Sequence, residues 1–115
     1  GANQIKEQTM LFELRQYRIK PGKRNEWVEF MEETIIPFQI SQGMVVVGSF
    51  VGEQEDDLYV WIRRFESEED REALYAKVYQ SDTWKNEIAP RTHEMLDRER
   101  IHVTRLTPTP KSVIR

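Results

Sequence analysis

The sequence predicts an α+β fold of ferredoxin-like βαββαβ order with a broken second helix. Three observations carry that prediction. Asp57–Glu66 (DLYVWIRRFE) has the densest run of aromatic and β-branched residues in the chain and reads as a central strand. Leu11–Ile19 and Glu99–Thr107 alternate as strands do, one near each end. Between the strands, two stretches place apolar residues at helical spacing, and the second is interrupted at Ser81–Trp84.

Taken in order, the segment 1–9 lacks the apolar core of a signal peptide and reads as a frayed leader to a domain spanning 10–107. In the first strand Leu11, Glu13, Arg15, Tyr17 and Ile19 share one face, with Phe12, Leu14, Gln16 and Arg18 on the other. Lys20–Lys23 (KPGK) ends it. A helix follows from about Lys23, its stripe formed by Trp27, Phe30, Met31, Ile35 and Phe38. Pro37 is expected to kink or end it, and Gly43 to supply a left-handed cap. Met44–Val51 reads as a strand shielded on both sides, and the polar turn 52–57 leads into the organising strand as an antiparallel hairpin.

That organising strand has no plain solvent face. Leu58, Val60, Ile62 and Arg64 lie on one side, and Tyr59, Trp61, Arg63 and Phe65 on the other. Ser67–Asp70 has the form of a capping box. Leu74, Tyr75, Val78 and Tyr79 form the apolar side of the helix it opens. After the break, Trp84, Ile88, Thr92 and Met95 continue to about Arg98, with Pro90 as a kink or fresh start. Pro108–Pro110 stops the last strand, leaving 108–115 as a tail. Two helices cover only one sheet face, so Leu14, Val60 and Ile62 require other cover. A homodimer with two sheets packed back to back, a dimeric α+β barrel, is the expected solution.

Composition excludes several functions. The 115 residues suffice for one domain. A net charge of −3 argues against broad nucleic-acid or anionic-lipid binding. Cysteine is absent, which removes disulfides, thiolate zinc sites and cysteine nucleophiles and makes the cytoplasm the natural compartment. No apolar run approaches the roughly 20 residues of a membrane span. His93 and His102, the only histidines, lack a metal-ligand pattern, so neither metal nor cofactor is expected.

The residues Phe12–Lys23 (FELRQYRIKPGK), Glu26-Trp27, Tyr59–Phe65 (YVWIRRF) and Ser81–Trp84 (SDTW) together resemble the NIPSNAP family over about Met10 to Leu106. The resemblance implies a dimeric α+β barrel and no defined reaction. More distantly the layout is similar to antibiotic biosynthesis monooxygenases and their haem-degrading relatives. Arg15 and Phe65 stand where those relatives carry Asn and Trp, and His93 stands near their histidine. The two replacements weigh against cofactor-free oxygenation and haem binding.

The candidate site is the row on the inner sheet face: Arg15, Tyr17, Trp61, Arg63 and Phe65. Two guanidinium forks walled by aromatics suit a small carboxylate or another anion. Alternatively, Glu13 neutralises Arg15 and the group is a structural ion-pair network. Glu13 and His93 are the candidate acid–base residues. Three functions follow: a small-molecule binding domain for an anionic or aromatic ligand, a cofactor-independent monooxygenase or isomerase, and a structural or interaction protein with a filled core.

Overall fold

The computed structural model describes residues 9–115, so all of the expected leader except Thr9 lies outside the described residues. A four-stranded antiparallel sheet in the order β2-β3-β1-β4 is the frame: β1 (Leu11–Ile19), β2 (Val45–Val51), β3 (Leu58–Phe65) and β4 (Leu96–Leu106). The expected βαββαβ order is present, with the helical regions packed on one sheet face. The alternation of β3 becomes a physical division. Tyr59, Trp61, Arg63 and Phe65 are buried under the helices, whereas Leu58, Val60, Ile62 and Arg64 are half-buried on the open face.

The register sets which side chains meet. On β1 and β3, Leu11 faces Phe65, Glu13 faces Arg63, Arg15 faces Trp61 and Tyr17 faces Tyr59. On β2, Val46 faces Arg63 and Gly48 faces Ile62, with a bulge between them that takes up Val47. Phe50 turns back over Gly48, where an added Cβ would stand 2.5 Å from its ring. Val45, Val47 and Phe50 are exposed, so the shielding expected on both sides of this strand is missing in the single chain.

Both helical regions widen ahead of a proline. The first runs through α1 (Arg24–Phe30), a π-helical segment at Met31–Ile35 and α2 (Ile36–Ser41). There the Ile36 amide donates to the Met31 carbonyl, five residues back, and Pro37 follows. Proline has no amide hydrogen and its ring crowds the carbonyl four residues back. A wider turn relieves that clash without ending the helix. Gly43 caps the region at φ 109°, a conformation glycine adopts without strain. In the second region, α3 (Glu68–Tyr79) is followed by a π-helical segment at Thr83–Ile88 and by α4 (Ala89–Met95). The Ala89 amide reaches the Trp84 carbonyl just ahead of Pro90.

Ser67 caps α3 by accepting from the Asp70 amide at 3.1 Å, as the motif predicts. The Asp70 carboxylate returns to the amide of Glu66 rather than to that of Ser67. The last strand starts three residues earlier than expected. Leu96 is buried, pairs with Ile19, and ends α4 at Met95, whose carbonyl accepts from the Lys20 amide at 2.8 Å. A register shift against β1 between Gln16 and Arg18 absorbs the extra residues of β4.

Candidate functional site

The inner face carries two adjoining arrangements. The first is a buried network centred on Arg63. Cross-strand pairing places its guanidinium against Glu13 at 2.8 Å, and neither side chain has exposed surface. One terminal nitrogen donates to the Glu13 carboxylate and to the Tyr75 hydroxyl oxygen (2.8 Å); the other donates to the Gln39 amide oxygen and the Tyr79 hydroxyl oxygen, each at 2.7 Å. Tyr75 donates to Glu13 at 2.7 Å, and Arg71 donates to the second carboxylate oxygen at 2.7 Å. The guanidinium also lies 4.8 Å from the centre of the Trp61 ring.

A carboxylate with this many donors stays ionised although it is buried. Burial pushes the Glu13 carboxyl up, but Tyr75, Arg71 and Arg63 together hold it below its ordinary 4.5. Burial, and the bond to Glu13, push the Tyr75 phenol up to about 12. Because the folded value of Glu13 is depressed, its stabilisation is complete above pH 4.5 and is lost as pH falls through the folded value. Urea unfolding of the protein and of Glu13→Gln, compared from pH 7 to pH 3, is expected to show a stability gap that closes below pH 4.5. A gap independent of pH would exclude this linkage.

The second arrangement is a cavity of about 230 Å³ between the sheet and the two helical regions. Arg15, Tyr17 and Trp61 form its floor. Trp27, Met31 and Ile35 come from the first helical region, and Tyr79, Trp84, Thr92 and His93 from the second. The register places Arg15 one step along β1 from the network, opposite Trp61. Its Nε donates to the Tyr17 hydroxyl oxygen at 2.7 Å, a terminal nitrogen approaches Tyr75 at 3.4 Å, and Trp61 donates to the same Tyr17 oxygen at 3.0 Å. Among the described residues no carboxylate forms a salt bridge with Arg15. Burial works against its charge, the oxygens of Tyr17, Tyr79 and Tyr75 favour it, and the balance raises its pKa above the usual guanidinium value.

The structure therefore separates the residues grouped by sequence. Arg15, Tyr17, Trp61 and His93 line the cavity; Glu13, Arg63 and Phe65 do not. Glu13 meets Arg63 and leaves Arg15 without its charge partner, and Phe65 lies in a second apolar cluster with Leu11, Met44 and Val78. His93 is exposed at the cavity wall, where burial, Arg98 and Lys20 hold its imidazole below the usual pKa and favour the neutral form. His102 is exposed and pairs opposite Gln16 on the open face.

Sequence reasoning missed Gln39, Arg71, Tyr75 and Tyr79 as polar participants. Gln39 extends the Trp27, Met31, Ile35 series by one further step of four, so a polar residue entering the core was signalled there. The two tyrosines read as apolar helix positions, and nothing in their spacing reveals the use of their hydroxyls.

A larger open cleft, about 860 Å³, lies at the end of the sheet between Lys20, Arg24, Asp56, Asp57, Asp97 and Arg100. Its charges face water and are matched locally: Arg18 to Asp57 at 2.9 Å, Arg24 to Asp56 at 3.8 Å, and Arg100 to Asp57 at 3.8 Å and to Asp97 at 3.9 Å. Solvated pairs of this kind leave little to hold a ligand. The smaller aromatic cavity, with the half-buried Arg15 on its floor, is the candidate site.

Comparison with known proteins agrees with this architecture. The NIPSNAP family profile matches residues 12–112. A NIPSNAP family protein from Agrobacterium tumefaciens superposes with a TM-score of 0.82 at 25% identity, covering 94% of this chain and 93% of that one. A second from the same organism, described as having unknown function, gives 0.83 at 23% identity over 96% and 97%. An uncharacterised NIPSNAP-like domain protein from Burkholderia xenovorans gives 0.81 at 22% over 90% and 89%. No curated protein sequence matches the chain.

Proposed function

The chain belongs to the NIPSNAP family, and we propose that its inner cavity binds a small anionic molecule held by Arg15. One observation carries this reading: Arg15 is a guanidinium at the floor of an aromatic cavity, without a carboxylate partner among the described residues. Its Nε is fixed by Tyr17, which leaves terminal N–H groups to form the bidentate contact that suits a carboxylate. Tyr17, Trp61 and Trp27 would cover the apolar body of the ligand. The volume, below that of drug-sized pockets, limits the ligand to roughly a dozen non-hydrogen atoms. Arg63, Phe65 and Glu13 serve as the support behind this floor.

Arg15→Met is expected to weaken carboxylate binding about 10- to 100-fold, the worth of charge-assisted hydrogen bonds. Stability should stay within about 1 kcal/mol, because no buried anion is left unpaired. Calorimetric titration of a panel of small carboxylates, with thermal melts of both proteins, checks both halves. A melting temperature that falls steeply in the variant, with no carboxylate binding to the wild type, would overturn the site.

A second reading adds proton transfer to binding. The neutral imidazole of His93 at the cavity wall suits a general base in an isomerase-type reaction. Glu13 suits that role less, because it is ionised, enclosed and already saturated with donors. The exposed Val45 and Phe50, beside half-buried Leu14, Val60 and Ile62, support a homodimer formed through the open sheet face. The cysteine-free composition supports a cytoplasmic setting, and the net charge of −3 weighs against nucleic acid as a partner. No helix among the described residues is long and apolar enough to cross a membrane.

A further inference from the structure

The cavity wall has an excess of hydrogen-bond donors. The Tyr17 oxygen already accepts from Arg15 and Trp61, so its acceptor capacity is taken and its own hydroxyl hydrogen must be donated. It has no acceptor among the described residues. Tyr79 repeats the pattern: its oxygen accepts from Arg63 at 2.7 Å and from Gln39 at 3.3 Å, and its hydrogen finds no acceptor among those residues. Trp27 is only 1% exposed, and its indole Nε1–H has no hydrogen-bond partner among the described residues. All three side chains line the cavity beside Arg15. Tyr17 and Trp27 are buried, Tyr79 half-buried; a buried donor without a partner is costly, so the pair points to an occupant that brings acceptors.

We propose that the cavity selects a small 2-oxo carboxylate, with its carboxylate on Arg15 and its carbonyl oxygen facing the Tyr17 hydroxyl and the Trp27 indole N–H. This rests on the reading of Arg15 as an anion anchor. Of the other cations near the cavity, Arg63 is already neutralised by Glu13 and Arg98, which also lines it, is exposed to solvent, so Arg15 is the cation left to hold an enclosed anionic group. A second acceptor near neutral donors is therefore an uncharged oxygen. Geometry sets it next to the carboxylate: Arg15 Nε and the Tyr17 oxygen are 2.7 Å apart, and the Tyr17 and Trp27 ring centres are 6.0 Å apart in an edge-to-face arrangement. Two oxygens on adjacent carbons match the neighbouring Arg15 and Tyr17 donors, and Trp27, packed against the Tyr17 ring, flanks them. The apolar remainder would lie against Met31, Ile35 and Trp84.

The test compares 3-phenylpyruvate with 3-phenylpropanoate, which lacks only the carbonyl oxygen. Calorimetric titration of the wild type is expected to give about tenfold tighter binding of the oxo acid, since the other acid leaves buried donors unmatched. In proton–nitrogen NMR spectra, the indole signal that disappears in Trp27→Phe should move downfield with the oxo acid and not with its counterpart. Trp27→Phe should bind 3-phenylpropanoate within about threefold of the wild type, showing an intact cavity, and should lose the preference. Equal affinities with a stationary indole signal would overturn the oxo-acid assignment and leave Arg15 as the anchor. Binding of neither acid would overturn both.

Discussion

Arg63→Met is expected to destabilise the protein by about 3–5 kcal/mol, because it removes the central cation from a carboxylate with no exposed surface. The chain of causes starts at the register. Glu13 lies directly across from Arg63, so its carboxylate cannot turn to solvent without breaking the inner face of the sheet. Methionine fills much of the volume but supplies no donors. It leaves the Gln39 amide oxygen unmatched and removes the shorter of the two hydrogen bonds to the Tyr79 oxygen, as well as weakening the hold on Glu13. Arg71 and Tyr75 still reach Glu13, which favours the lower end of the range. Urea unfolding at pH 7 measures it. Glu13→Gln introduced into Arg63→Met should restore part of the loss by removing the unpaired charge, and that recovery separates electrostatics from packing. A loss under about 1 kcal/mol would show that the network carries little of the stability.

The same pair shows where the sequence is legible. Two-residue periodicity put Glu13, Arg15, Arg63, Trp61 and Tyr17 on one face, and all five are there. It does not say which residue stands opposite which. A shift of the pairing by two keeps every side chain on its face but would set Arg63 opposite Arg15 or Leu11 instead of Glu13. That is why ion-pair network and anion site are both open to the sequence: Arg63 has the first role, and Arg15 is the arginine we propose for the second. The polar ends of Tyr75 and Tyr79 were hidden for a related reason, since an aromatic at a helical core position reads as apolar until its hydroxyl's neighbours are known. The prolines mark irregularities in both helical regions, but whether a helix kinks or widens depends on what it packs against. Met31 and Ile35 on one π-helical segment and Trp84 on the other all reach the cavity, so the widened turns place its wall. The early start of β4 depended on Leu96 being drawn beneath the helices, a tertiary effect stronger than the charged run that follows it.

Ile62→Glu is expected to convert a dimer into a monomer. Ile62 sits mid-sheet on the open face, between Leu14 of β1 and Gly48 of β2. Val60 and the exposed Phe50 form the next row, and Val45 extends the apolar surface along β2. A self-complementary patch of this kind closes most simply about a twofold axis. In that arrangement position 62 lies near the centre, where water is excluded. A glutamate there would be buried twice, once from each protomer, with no cation opposite, at a cost of several kcal/mol. In the single chain the position is only half-buried, so the same glutamate reaches solvent and the fold tolerates it. Light scattering at micromolar concentration should give twice the chain mass for the wild type and one chain mass for the variant. A monomeric wild type, or a variant that stays dimeric, would defeat the back-to-back arrangement. Arg15 lies on the opposite side of the sheet from Ile62, so the monomeric variant should still bind small carboxylates. Loss of that binding with the fold intact would mean that the partner protomer completes the cavity.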